Sequence, residues 1–180
     1  MYSNGNPGNK ETNVWKGIAA GAIGGIVASW VMEEFQSAWM KITKSKQEQN
    51  GSAEKPKSDQ QEPATIKAAE MVSETFFGRK LAEKDKGWAG NAVHYVTGGT
   101  SGAVYGLAAE LVPRVTAGVG VPFGTAVWLG IDEGAVPLLG LAKGPAEYPV
   151  AKHAYALASH FVYGVTTEVV RHALRSSVLK

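Results

Sequence analysis

The sequence predicts an all-α fold: an integral-membrane four-helix bundle made of two tandem helix pairs that meet across glycine-rich interfaces. Three observations predict it. Residues 17–32, 87–109, 115–131 and 153–167 contain no Asp, Glu, Lys or Arg, and each run approaches the roughly 20 residues that cross a bilayer. Small residues recur at every fourth position within these runs, which draws a line down one helix face. The stretch VYGLAAELV at 104–112 returns as VYGVTTEVV at 162–170.

Residues 1–14 read as a disordered polar tail, followed by a first span over 15–40. Gly17, Gly21, Gly25, Ser29 and Glu33 form its small-residue line, and Ile18, Ala22, Ile26 and Trp30 keep the opposite face apolar. Lys16 before an apolar run also fits a cleaved signal peptide. The helical period continues through Glu33–Met40 and no small-x-small site follows, so a retained helix is expected. Residues 41–87 form a polar linker, of which KSKQEQNGSAEKPKSDQQEP reads as disordered mixed charge. Within it, 63–81 is organised: Pro63 opens a helix, Ile66, Ala69, Met71 or Val72, and Phe76 share one side, and Lys and Glu hold the other. That pattern fits an amphipathic helix on the lipid headgroups, or one that binds a partner.

Residues 88–175 supply the other three spans, at about 88–111, 117–141 and 153–174, with a short tail at 176–180. The second carries Gly90, His94, Gly98, Gly102, Gly106 and Glu110 on one line. Glycine costs a water-exposed helix about 1 kcal/mol relative to alanine. In lipid, however, helices associate through close backbone approach over small residues. The third offers Pro122, Ala126, Gly130 and Gly134, with Gly120 and Gly124 one face over, and Pro122 and Pro137 are expected to kink it. The fourth has Ala156, His160, Gly164, Glu168 and His172. The duplication pairs Gly106 with Gly164 and Glu110 with Glu168, while WVMEEF (30–35) against WLGIDEGAV (128–136) aligns Glu34 with Glu133. An even-numbered unit repeats in parallel about an axis along the membrane normal. A soluble bundle, the competing architecture, would show charged faces opposite leucine-rich ones.

The ionisable groups in these spans are Glu33, Glu34, His94, Glu110, Asp132, Glu133, His160 and Glu168, the candidates for an ion path, with His153 and His172 nearby. A charge at bilayer depth costs at least about 2.5 kcal/mol, so such residues face the bundle interior. One role is hydrogen bonding that fixes helix register; another is a proton or cation path. Ligation of an unspecified metal by His160, Glu168 and His172 is a third, weaker reading, because no HExxH or paired ExxH occurs. Trp15, Trp30, Trp39, Trp88 and Trp128 mostly flank the spans, as interfacial anchors do.

The formal charge of +2 and the lack of a basic block interleaved with aromatics argue against nucleic acid. Without cysteine there is no disulfide or thiolate site. No nucleophile elbow, Walker loop or dinucleotide fingerprint is present, and GTSGA at 99–103 lies inside a helix-period run. The expectation is a protein that is not an enzyme and carries no cofactor.

The stretches 94–113, 123–141, 148–153 and 159–175 resemble the DUF1440 group of small bacterial inner-membrane proteins, the YagU type. The resemblance spans roughly 64–175. It implies a multi-pass inner-membrane protein, an acid-tolerance role and no established reaction, so it transfers no catalytic residue. The expected function is a structural, accessory or assembly subunit, self-associating or held in a larger membrane complex, with the lipid bilayer as its surroundings. A proton or cation conduit is the alternative. Lys and Arg are denser in the linker than on the opposite side, which places the linker in the cytoplasm and both termini outside.

Overall fold

The computed structural model describes residues 7–49 and 62–179. Among the described residues the chain is helical with no strands: α1 (Pro7–Gln49), α2 (Ala64–Phe77), α3 (Glu83–Leu111), α4 (Val121–Val127), a π-helical segment (Trp128–Ala135) running into α5 (Val136–Leu138), and α6 (Val150–Ser177). The expected linker therefore starts later than residue 41, because α1 continues as helix to Gln49. The expected tail is likewise helical from Pro7. The disorder expected around 50–61 and in residues 1–6 lies outside the described residues.

Helix α1 sits between α3 and α6, and α4 packs on α6. The α1–α3 contact is backbone against backbone. A Cβ placed on Gly21 would stand 2.1 Å from Gly102 O, one on Gly25 2.2 Å from Gly98 O, and one on Gly106 2.1 Å from Gly17 O. The falling numbers on one helix against rising numbers on the other make this pair antiparallel. The two lines of small residues read from the sequence are thus the two halves of one seam. Between α4 and α6 the same device recurs: a Cβ on Gly124 would meet His160 O at 2.1 Å, and one on Gly120 would meet Gly164 O at 2.0 Å.

Two expectations change here. Gly130, expected in a seam, has nothing within 4 Å of where its Cβ would stand; the packing positions are Gly120 and Gly124, one face over. Gly21 touches Gly102 and Gly106 as Gly124 touches His160 and Gly164. That contact register differs from the one aligning Glu34 with Glu133. Pro122 begins α4 rather than kinking it. Pro137 does distort its helix: it lacks an N–H for a carbonyl four residues back. The turn widens before it, and Val136 donates to Ile131 O, five residues away.

The bundle is small inside and large outside. Its buried residues include Ala20, Ala28, Ser29, Ser159 and Thr167, each 0% exposed. The hydroxyls of those last three donate to the carbonyls of Gly25, Tyr155 and Tyr163 in their own helices. Outward-facing positions instead carry Trp15, Ile23, Ile26, Trp30, Val96, Val104, Leu129 and Val169, all more than a third exposed. Among the described residues one helix is both long and apolar enough to cross a membrane, over Val14–Ser45 of α1. Helices α3 and α6, at 29 and 28 residues, have the length but are diluted by Gly, Ser, Thr and His.

Candidate functional site

The ionisable residues singled out from the sequence fall into two layers. At the end of the bundle where α3 and α6 finish, carboxylates are matched to arginines. Arg171 donates from Nε and an Nη to Glu168 at 2.7 and 2.8 Å, with both side chains under 10% exposed. Arg175 on α6 reaches across to Glu110 on α3 at 2.5 and 3.1 Å. Such two-pronged pairing fixes geometry as well as charge. These pairs explain the line of Glu110 and Glu168 below the glycines: each seam ends in an ion pair.

The other half of the bundle holds a half-open cavity of about 690 Å³, the size range of small-molecule sites. Its walls come from α1, the start of α2, α3, the π segment and α6. Glu33, His94, Asp132, Glu133, His153 and His160 all line it. The π segment supplies Asp132 and Glu133, because its wider turn reorients side chains, a distortion often found at functional sites. Glu133 accepts from His153 Nδ1 at 2.7 Å. Glu33 accepts from the Tyr95 hydroxyl at 2.9 Å, with His94 Nε2 3.9 Å from its other oxygen.

Asp132 and His160 are less satisfied. The His160 side chain is 7% exposed; its Nδ1 is fixed by Ala156 O at 2.8 Å. Its Nε2 stands 3.7 Å from Asp132, beyond hydrogen-bond length. Neither His160 Nε2 nor the Asp132 carboxylate has a hydrogen bond among the described residues.

Met32, Val127 and Tyr163 of the cavity wall also belong to an apolar cluster with Ala28 and Phe123. There the Tyr163 hydroxyl donates to Gly98 O at 2.7 Å and ties α6 to α3. The 139–149 loop and the start of α2 also contribute to the cavity wall. Helix α2 is seated on α3 with Ile66 against Gly90, and Lys86 lies within 3.0 Å of Glu62, Glu70 and Glu83. Hydrogen bonds to Glu83, Glu70 and Glu62 hold this ammonium well above the usual lysine range.

Of the expected ion-path residues, the structure brings Glu33, His94, Asp132, Glu133 and His160 to one cavity, separates off Glu110 and Glu168, and leaves Glu34 exposed outside it. The weak metal set does not converge: His160 faces Asp132, Glu168 is held by Arg171, and His172 is exposed. Among the described residues no three His, Asp or Glu side chains form a metal-sized cluster. Tyr95 and Tyr163 were not singled out from the sequence; a tyrosine's hydroxyl partner across helices leaves no periodic trace. The Glu168–Arg171 pair was also not drawn from the sequence, although its i, i+3 spacing is a signal that could have found it.

Comparison with known proteins adds a family. The family model described as a protein of unknown function, DUF1440, matches residues 41–169, and the chain belongs to that family. The match starts after most of α1, although α1 forms one side of both the seam and the cavity. No curated protein and no solved structure matches the chain.

Proposed function

We propose that this DUF1440 protein is a non-catalytic, multi-pass protein of the bacterial inner membrane whose helix bundle holds a proton- or cation-binding chamber open toward the cytoplasm. The observation that carries the reading is one cavity lined by three imidazoles (His94, His153, His160) and four carboxylates (Glu33, Glu62, Asp132, Glu133), with Tyr163 also in its wall. Ionisable groups retained at such depth are functional by default, and an outward apolar shell around a core of Ala, Gly and Ser supports lipid surroundings. The spans in this reading are α1, α3, the helix running from α4 through α5, and α6. The repeated seam, Gly21 on Gly102 and Gly124 on His160, supports two helix pairs of common plan. The lysine-rich side puts the mouth of the chamber in the cytoplasm.

The test is proton uptake in proteoliposomes under an imposed membrane potential, followed with a pH-sensitive dye. Uptake that is abolished by Asp132→Asn and unchanged by Glu34→Gln supports the chamber. Absence of uptake with the wild-type protein favours a second reading, an accessory or assembly subunit that self-associates or joins a larger complex. That reading draws on the two ion pairs and the seams, which commit Glu110 and Glu168 to packing.

A further inference from the structure

The chamber is far larger than a proton or a bare ion requires, and four carboxylates line it, Glu33, Glu62, Asp132 and Glu133. Glu62 is taken up by Lys86, and Glu133 by His153. Lys143 and Lys152 also line the wall, with Lys152 Nζ held 3.7 Å over the Tyr148 ring. Asp132 has no hydrogen bond among the described residues and faces His160 Nε2 at 3.7 Å, and Glu33 accepts from the Tyr95 hydroxyl with His94 Nε2 3.9 Å away. The same wall is partly apolar, with Met32, Val127, Ile131 and Val136 among its lining residues. His160, more than nine-tenths buried, presents an unbonded Nε2 to the same space. A ligand that satisfies this arrangement has a positively charged, hydrogen-donating head and an apolar body. A protonated primary amine on a hydrocarbon frame meets both demands: its three N–H bonds suit two carboxylates and an imidazole nitrogen, and its body covers the aliphatic wall.

We infer that the chamber is a binding site for amphiphilic organic cations of the primary-ammonium class, with Asp132 and Glu33 receiving the ammonium and His160 Nε2 accepting its third N–H. This rests on the chamber reading above and names its ligand.

The experiment is calorimetric titration of the full chain in lipid nanodiscs, with empty nanodiscs as reference. Three probes share one frame: 4-phenylbutylammonium, 4-phenylbutanol and 4-phenylbutyrate. The expected result is saturable binding of the ammonium, weaker by at least about tenfold for the alcohol and the carboxylate, the worth of one charged hydrogen bond. Asp132→Asn weakens the ammonium by a similar factor and Glu34→Gln leaves it within about twofold. Ile131→Trp, which fills the apolar wall, weakens binding without touching a charge; either variant must keep the wild-type thermal unfolding profile to be scored. Equal affinity for ammonium and alcohol, preference for the carboxylate, or no binding of any probe overturns the inference. Proton uptake that persists in proteoliposomes after such a failure leaves the chamber reading standing, whereas loss of both ends both.

Discussion

Replacing Gly21 by alanine tests the packing argument at its tightest point. An alanine Cβ there would lie 2.1 Å from Gly102 O and 2.8 Å from Gly106 Cα, both backbone atoms that no rotamer can move aside. Ordinary contact begins near 3.4 Å, so α1 and α3 must part by roughly 1.3 Å at this level, and a gap of that size forfeits a large share of the dispersion well. The loss spreads to Gly17 on Gly106 and Gly25 on Gly98, which share the same seam. Overpacking of this kind costs about 1–3 kcal/mol. Gly130→Ala is the matched control: nothing lies within 4 Å of its Cβ, and alanine's helix propensity favours it by up to about 1 kcal/mol. Thermal unfolding in detergent, followed by tryptophan fluorescence, should show Gly21→Ala lowered and Gly130→Ala unchanged or raised. Equal effects of the two substitutions would falsify the seam.

Other outcomes follow from the same geometry. Arg171→Ala leaves the buried Glu168 carboxylate alone and should cost about 3–5 kcal/mol, while the double change Arg171→Leu with Glu168→Leu recovers much of it; thermal unfolding of the three proteins decides. Alkaline carbonate extraction should leave the tagged chain in the membrane pellet, and release into the supernatant would overturn the lipid-facing reading of Trp15, Ile23, Ile26 and Trp30. Phe76 and Phe77 are more than 70% exposed at the end of α2, which suits a helix resting among headgroups. A Phe76→Trp protein in liposomes should therefore be quenched by brominated lipid, and full accessibility to aqueous iodide would refute that placement. Tyr163→Phe removes the hydroxyl bond to Gly98 O and should lower unfolding temperature modestly, by the worth of about 1 kcal/mol.

Much of this protein could be read directly from its residue order. Spacing by four identified Gly17, Gly21, Gly25 and Ser29 as one line and Gly98, Gly102, Gly106 and Glu110 as another, because helical periodicity is a local property. The same locality placed α2 at 64–77 within the expected 63–81. What spacing could not decide is which line meets which, since that depends on how helices distant in sequence dock. Gly130 and Gly124 are both small residues of the 121–138 helical stretch, yet only Gly124 lies against a neighbour's backbone. Likewise, the acids of the apolar helices formed a single set in the sequence. Only docking sorted them: Glu110 lies 65 positions from Arg175 and is charge-matched by it, whereas Glu33, His94, Asp132 and His160, drawn from four segments, enclose a chamber. Chemistry at a position is written locally; whether that chemistry is spent on packing or left facing a cavity is set by three-dimensional neighbours.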